Sequence, residues 1–191
     1  MSRISDTIKQ DHREIESYYK GILSTQDSDE QTRYQNMFTW ELARHSVGEE
    51  LVVYPAMEKY LRDGSEATEK DRQEHQKVKE QLKKFQDMYC TDSQFIPTIR
   101  ILMSVLSNHI SDEETVDLVK LEEAITPEES DRLARSFSRT KMFVPSRSHP
   151  SAPNKPPYET AVGLMTAPLD HLADLFRKWP DEALTPNPSM E

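Results

Sequence analysis

Apolar residues recur every three or four positions along most of the chain, which is the spacing of helices that bury one face. Glycine occurs only 4 times in 191 residues, so few turns interrupt this spacing. Pro55 is expected to bend the second helix, and Thr126 to cap the fifth in a capping box with Glu129. The pattern predicts an all-α bundle of four long helices and a short fifth one, over about 5–24, 31–61, 66–89, 95–124 and 127–139.

The last fifty residues differ from the rest, and we divide the chain into a bundle domain over 1–140 and an extension over 141–191. Five prolines between residues 144 and 157 predict an extended connector, and we favour a simple linker over a partner-binding motif. Residues 184–191 have no means of packing and are expected to fray. An amphipathic helix is predicted over 158–179, with an apolar stripe of Val162, Met165, Leu169, Leu172 and Phe176.

Charge and composition narrow the function classes. The formal net charge of −10 disfavours binding to nucleic acid or to an anionic membrane surface, because both need an excess of lysine and arginine. No apolar run approaches the roughly 20 residues that span a bilayer, and the first ten residues are too polar for a secretory signal. The single cysteine, Cys90, cannot form an internal disulfide. We therefore expect a cytoplasmic protein without nucleic-acid or membrane partners.

The apolar stripe of the third helix is predicted to extend to Tyr89 and that of the fourth helix to Val116. Ionisable residues occupy positions in the four apolar stripes where an apolar side chain is expected. Buried glutamates without partners are costly or become protonated, so a core of this content indicates something that they bind. The candidate metal ligands are His12, His45, Glu49, His75, His109 and Glu113.

The spacing of these six residues sharpens the hypothesis. In the second and fourth helices a glutamate follows a histidine by four residues, which places both on one helix face. His75 follows His12 by 63 residues, and the second His–Glu pair follows the first by 64. Two helical hairpins packed around a pseudo-twofold axis bring both sets to one level of the bundle. There each metal ion takes two histidines and the glutamates bridge the pair.

Conspicuous residues outside the candidate ligand set are expected to have structural roles. A single histidine in an apolar stripe is more often a hydrogen-bonded core residue than a ligand, but four in matched register favour ligands. His149 and His171 lie outside the repeat and are predicted to be incidental. Cys90 is expected to be a packing or surface residue, and aromatic residues such as Tyr54 are expected in the core or at its rim.

Ligand chemistry leaves iron, zinc and manganese open. Structural zinc prefers closed, cysteine-rich tetrahedral sites, which this sequence does not encode. Six protein ligands shared by two ions leave coordination positions free, which favours octahedral iron that is accessible to a small ligand. The ferritin-like pattern places a glutamate three residues before each histidine, and it is excluded because those positions hold Lys9, Leu42, Arg72 and Leu106.

The order of the candidate ligands resembles that of the hemerythrin-like family, also called the HHE cation-binding domain. The stretches RHSVGEELVVYPAME and NHISDEE look like the second and fourth helices of that family. The resemblance covers about 5–124, and the tail looks like the extension of fungal members. It implies an up-down-up-down four-helix bundle that holds two iron ions in an oxo- or hydroxo-bridged di-iron centre. Members of the family include oxygen carriers and sensors of oxygen or iron.

Two departures from the oxygen-carrying hemerythrins bear on function. Those proteins have a fifth histidine where this chain has Lys79, and their motif ends in an aspartate where Glu114 follows Glu113. Glu16 holds the position equivalent to Lys79 in the first half and is a candidate additional ligand. An ion pair between Glu16 and Lys79 at the rim is the favoured interpretation. The departures disfavour reversible oxygen carriage and leave reactivity with dioxygen, nitric oxide or peroxide open.

Three functions are compatible with these features. The favoured hypothesis is a non-haem di-iron protein that binds or senses a small diatomic ligand such as dioxygen or nitric oxide, or handles iron, without turnover. The alternative is a di-iron enzyme that reduces peroxide, dioxygen or nitric oxide, although we identify no additional acid, base or electron-transfer group. A metal-free helical interaction module ranks last because it does not explain the ionisable core. The sequence identifies no protein partner.

Overall fold

The computed structural model of the chain describes residues 2–155 and 158–180, with the backbone alone over 158–165. Helices account for most of these residues and no β-strand occurs among them, so the predicted all-α fold is confirmed. The helices are α1 (Ile4–Ser24), α2 (Ser28–Gly48), α3 (Tyr54–Tyr60), α4 (Gly64–Gln86), α5 (Phe95–Asp112), α6 (Leu118–Ala124), α7 (Pro127–Lys141) and α8 (Tyr158–Asp174). Helix α1 packs against α2 and α4 against α5, and further contacts join α2 to α4 and α1 to α5.

Two single π turns interrupt the predicted second and fourth helices. The first covers Glu49–Val53 between α2 and α3, and the second covers Glu113–Asp117 between α5 and α6. In each turn the backbone amide five residues on donates to the carbonyl of the first glutamate, so the helix accommodates one extra residue. The extra residue rotates the side chains that follow. Val116, which the sequence placed in the core stripe, is therefore 44% exposed, whereas Asp117 is buried.

The ends of the long helices differ from the predicted ones in two places. Helix α2 begins at Ser28 because the side chain of Asp27 caps it by accepting hydrogen bonds from two backbone amides. Helix α4 ends at Gln86, so Tyr89, which was predicted on its buried face, lies beyond the helix and is 82% exposed. Pro55 stands in the first turn of α3, directly after the π turn, where a proline costs the helix least.

Two apolar clusters lie along the bundle on either side of a polar layer. Along α1, His12 falls between Ile8 of one cluster and Ile15 of the other. Along the fourth helix, Leu106 belongs to one cluster and Leu118 to the other. Burying a side chain of this size contributes roughly 1.5–3 kcal/mol. The two clusters therefore hold the helices rigidly on both sides of the polar layer.

Helix α7 covers one side of the bundle. The Thr126 side chain accepts a hydrogen bond from the Glu129 amide at its start, so the predicted cap is present. The helix contacts α1, α2 and the first π turn. The domain boundary after residue 140 stays a prediction, and it falls at the penultimate residue of α7.

The connector after α7 packs against the bundle, contrary to its interpretation as a simple linker. Residues 144–148 are all buried. The guanidinium of Arg147 donates to the side-chain oxygen of Asn36, and the Ser148 hydroxyl donates to the Lys79 carbonyl over 2.6 Å. These contacts fix the connector against α2 and α4.

The tail helix differs from its prediction in length and packing. Helix α8 ends at Asp174, and Leu169, Leu172 and Phe176 are 70%, 58% and 86% exposed. The predicted stripe thus faces solvent at these positions, while the side chains of its other members and the predicted frayed end at 184–191 lie outside the described residues. In the described part of the chain, no helix is both long and apolar enough to span a membrane.

Candidate metal centre

All six predicted ligands lie together in the polar layer between the two apolar clusters. None of their side chains is part of an exposed surface, since each residue is at most 3% exposed. They form two groups that share one glutamate, and the ligand atoms within each group lie within 4.8 Å of one another. The first group is His12, His45, Glu49 and Glu113, and the second is Glu49, His75 and His109.

The inner face of the centre consists of imidazole Nε2 atoms and carboxylate oxygens. Glu49 lies between two histidines, with Oε1 3.0 Å from Nε2 of His45 and Oε2 3.3 Å from Nε2 of His75. Oε2 of Glu113 lies 3.3 Å from Nε2 of His12. No described residue makes a well-formed hydrogen bond to the oxygens of either glutamate or to Nε2 of His12. Buried polar atoms in this state are rare and costly unless a cation compensates them.

Each of the four histidines also has a carboxylate at Nδ1, on its outer side. The Nδ1–oxygen distances are 2.8 Å from His12 to Glu114, 3.2 Å from His45 to Asp11, 3.2 Å from His75 to Glu50 and 3.0 Å from His109 to Glu74. A carboxylate here holds the proton on Nδ1 and fixes the ring, which leaves the Nε2 lone pair free for a metal ion. All four rings therefore have a carboxylate at Nδ1 and an Nε2 atom that could bind a metal ion.

The outer carboxylates extend the internal repeat of the ligands. Asp11 and Glu74 each precede a candidate-ligand histidine and lie 63 residues apart, whereas Glu50 and Glu114 each follow a candidate-ligand glutamate and lie 64 apart. The role of these four carboxylates was not predicted from the sequence, where only Glu114 was noted, for its place after Glu113. The sequence feature that could have indicated them is an acidic residue at the same position relative to the candidate ligands in both halves of the chain. However, each of these carboxylates orients a histidine that lies on another helix. That pairing depends on the tertiary packing.

A cation contacts each outer carboxylate in turn. Lys141 lies 2.5 Å from Asp11, and Lys79 lies 2.5 Å from Glu50. Both lysines are 8% exposed. The other two cations lie at the rim: Arg13 pairs with Glu114, and Lys70 lies 3.7 Å from Glu74.

The predicted ion pair between Glu16 and Lys79 is wrong. Lys79 turns inward to Glu50, while Glu16 pairs with Arg13 of its own helix at 3.1 Å. Among the described residues, the groups of convergent ligand atoms do not include Glu16, which gives its role as an additional ligand no support. The lysine turns inward because the buried carboxylate of Glu50 needs a cation more than a rim carboxylate does.

The charges of the metal-free centre favour protonated histidines. Burial lowers the pKa of His45, but Glu49 and Asp11 outweigh it and raise that pKa to about 10. Burial also lowers the pKa of His75, but Glu49 and Glu50 outweigh burial and raise that pKa to about 9. Burial raises the pKa of Glu49, but His45 and His75 hold it well below its usual value. A metal ion that enters the centre must displace the histidine protons.

Tyr54 lies beside the candidate centre, whereas the two remaining histidines lie outside it. The Tyr54 hydroxyl is buried and lies 3.0 Å from Nε2 of His75, so this core aromatic borders the centre. Nε2 of His149 contacts Asp170 at 2.9 Å, and Nε2 of His171 donates to the Val144 carbonyl. In the described part of the chain, neither histidine belongs to a group of convergent ligand atoms.

The chemistry of the donor set agrees with the family to which a sequence model assigns this chain. Four oriented imidazoles and two carboxylates without hydrogen bonds suit divalent transition metals. The sequence model of the family described as Hemerythrin HHE cation binding domain matches residues 3–121. This chain belongs to the hemerythrin HHE cation-binding family. The matched range contains the six candidate ligands and the four outer carboxylates, and it ends before α7 begins.

Relatives and solved structures agree with this assignment. A hemerythrin-like protein of Schizosaccharomyces pombe is 58% identical over 181 residues, which cover 94% of this chain and 89% of the relative. The crystal structure of an HHE domain-containing protein from Mycobacterium kansasii superposes with a TM-score of 0.65 at 20% identity, over 74% of this chain and 86% of that one. This likeness shows the hemerythrin-like fold.

A third relative is more distant. A DNA nickase of Nostoc sp. is 21% identical over 144 residues, which are 75% of this chain and 40% of the relative. The matched part of this chain therefore covers less than half of that protein.

Proposed function

We propose that this protein binds two iron ions in the polar layer and uses the centre to bind or sense a small diatomic ligand, such as dioxygen or nitric oxide, or to handle iron. The observation that supports this best is the set of carboxylate oxygens of Glu49 and Glu113, which are buried without hydrogen bonds and face the Nε2 atoms of three histidines. Two bound cations would compensate the negative charge of these glutamates, and the division of the donors into two groups favours two ions over one.

The donor chemistry favours iron over structural zinc. A closed zinc site has four protein ligands, commonly including cysteine thiolates, and the sole cysteine, Cys90, lies outside the centre and contacts the Ser28 carbonyl. One group offers four donors and the other offers three, one of which is shared. Six-coordinate iron would keep free positions at both ions, and the bound ions would supply binding and redox chemistry toward a small ligand.

The protein's own residues have three tasks in this proposal. The four outer carboxylates hold the proton on each histidine Nδ1 and aim Nε2 inward. Glu49 contacts histidines of both groups and is the residue best placed to join the two ions. The two apolar clusters exclude water from both sides of the layer.

Metal analysis and optical spectroscopy test the proposal. Purified protein, stripped of metal and titrated anaerobically with ferrous iron, should bind two iron ions per chain and then change its spectrum on addition of nitric oxide or dioxygen. Saturation at one iron, or tighter binding of a single zinc, contradicts the proposal. Steady-state reduction of peroxide, absent in His109→Ala, indicates an enzyme instead of a binding protein.

Thermal unfolding provides a second test. Metal bound only to the native state stabilises it, because ligation compensates the buried charge of Glu49 and Glu113. We expect chelation to lower the melting temperature and readdition of iron to restore it. An unchanged transition means that no metal is bound at these glutamates.

A further inference from the structure

Helix α7 places a lysine beside the centre from outside the matched family range. The Nζ atom of Lys141, on the last turn of α7, lies 2.5 Å from Oδ2 of Asp11 and also contacts Glu41. Lys141 is 8% exposed, and burial tends to lower its pKa, but Glu41 and Asp11 outweigh burial and raise it. The ammonium group therefore stays charged inside the protein.

The same oxygen of Asp11 contacts a candidate ligand. Oδ2 of Asp11 lies 3.2 Å from Nδ1 of His45, so an uninterrupted chain of contacts runs from Lys141 through Asp11 to His45. A second contact joins α7 to the same ring, because Phe137 packs edge-on against His45 with ring centroids 6.0 Å apart. Helix α7 thus holds one imidazole both through its Nδ1 partner and across its face.

Gly48 permits this close approach. It lies three residues after His45, and a Cβ atom added there would meet Phe137 at 2.8 Å and the Lys141 side chain at 3.4 Å. The backbone of Gly48 is ordinary right-handed helix with φ −58°, so space and not backbone conformation explains the glycine. Alanine at this position would push α7 away from α2 without removing a polar group.

A third metal ion at this place is a weaker explanation. Ligand atoms of Asp11, Glu14 and Glu41 do lie within 4.8 Å of one another. However, the ammonium of Lys141 already contacts two of these carboxylates and supplies the positive charge that the cluster requires. This leaves the lysine with a role toward Asp11 and, through it, toward His45.

We infer that Lys141 is a positioning residue of the metal centre, and that α7 is required to hold His45 as a ligand. The inference rests on the proposed function, since it assumes that His45 binds a metal ion. The equivalent histidine of the second half, His109, is held by Glu74, whose cation Lys70 lies at the rim on the same helix as Glu74. Loss of Lys141 should therefore weaken one half of the centre selectively.

The test uses Co²⁺ as the probe metal in the full-length protein. Imidazole N–H protons of histidines bound to Co²⁺ give separate shifted NMR signals, and Asp11→Asn assigns the signal of His45. In Lys141→Met we expect the His45 N–H signal to move or to exchange with solvent, and Co²⁺ affinity to fall by about tenfold at one of the two sites. The signals of the other three histidines should stay in place.

Two further variants and a control show whether misfolding explains the effect of Lys141→Met. Lys141→Met removes a positive charge from beside two buried carboxylates, Asp11 and Glu41. Combining it with Glu41→Gln also removes one negative charge and so keeps the charge balance. This double variant should give the same NMR change as Lys141→Met alone. Gly48→Ala should reproduce it by displacing Phe137 and Lys141. Arg135→Met is the matched control, because this exposed cation of α7 pairs with Asp131 at the surface.

The outcomes separate this inference from the proposed function. If wild-type protein binds two Co²⁺ ions, and Lys141→Met, its combination with Glu41→Gln, and Gly48→Ala all keep the His45 signal and both affinities, Lys141 has no positioning role. If wild-type protein binds Co²⁺ but not iron, the proposed iron function fails while the NMR comparison still decides the role of Lys141. If Arg135→Met weakens Co²⁺ binding equally at both sites, the loss of affinity in Lys141→Met is due to general destabilisation of the protein.

Discussion

The four histidines of the centre are held in two different environments. His45 and His75 have carboxylates backed by buried lysines, Lys141 and Lys79, whereas the partners of the other two histidines are backed by cations at the rim. The rim cations, Arg13 and Lys70, have side chains that are 54% and 55% exposed. Each group of ligands thus contains one histidine with a buried support and one with an exposed support.

The difference shows that the same pairing of a carboxylate with a cation contributes more to holding a histidine when the cation is buried than when it is exposed. Water and salt screen a rim cation, so its pairing with a carboxylate contributes little. A buried lysine cannot be replaced by solvent, and removing it leaves a buried carboxylate with less positive charge around it. We therefore expect His45 and His75 to depend strongly on their supports, and His12 and His109 to depend on them weakly.

The largest expected effect concerns pH. The pKa values of His45 and His75 are raised to about 10 and about 9 in the metal-free protein, above the ordinary value of 6.5. The stabilisation from their protonated forms is present below pH 6.5 and is lost as pH rises through 9–10. Each candidate group contains one of these two histidines, so each metal ion displaces one of the protons, and the affinity for each ion should rise by about tenfold per pH unit below pH 9. Proton release measured by calorimetry in buffers of different ionisation enthalpy checks this, and a pH-independent affinity contradicts it.

The second prediction compares a buried cation with an exposed one. Lys79→Met should lower the free energy of unfolding by about 3–5 kcal/mol, because it removes the buried lysine that lies against the Glu50 carboxylate. Lys70→Met should cost at most about 1 kcal/mol, because its pairs with Glu74 and Asp112 are at the surface. Urea unfolding of the metal-free proteins measures both values. Equal losses would show that burial does not govern these supports.

The third prediction compares the outer carboxylates themselves. Glu50→Gln should weaken metal binding by about 10–100-fold, since it removes the negative charge that holds the proton on Nδ1 of His75 and makes an inverted amide orientation possible. Glu74→Gln should weaken it by less than about tenfold, because water at the rim can accept from Nδ1 of His109 in its place. Competition with a chromophoric chelator gives both affinities, and a larger effect of Glu74→Gln would reverse the comparison.

The smallest effect is expected for histidines outside the centre. His149→Ala and His171→Ala each remove one polar contact of the extension, with Asp170 and with the Val144 carbonyl. Each should cost about 1 kcal/mol of stability and leave the iron content unchanged. Loss of iron in His171→Ala, with iron retained in His75→Ala, would show that the centre lies elsewhere.

The candidate ligands could be predicted because burial imposes a local pattern. A histidine or glutamate at a core position of a helix stands out against the 3.6-residue period, and His12, His45 and Glu49 all did so. The pairing of Glu16 with Lys79 could not be predicted correctly, because register on neighbouring helices does not say which carboxylate lies deeper. Val116 was misplaced for a related reason: the π turn at Glu113 shifts the phase of the helix, and the period alone does not reveal it.

The sequence by itself determined the all-α fold, the six candidate ligands and the twofold repeat that relates them. These depend on helical periodicity and on the cost of burying charge, and both act over a few residues of one helix. Only the tertiary structure decided which carboxylate orients each histidine and which cation supports it. The pairing of Lys141 with Asp11 joins residues 130 positions apart. Such contacts leave no periodic signal, because they depend on how whole helices pack and on which side chains that packing removes from water.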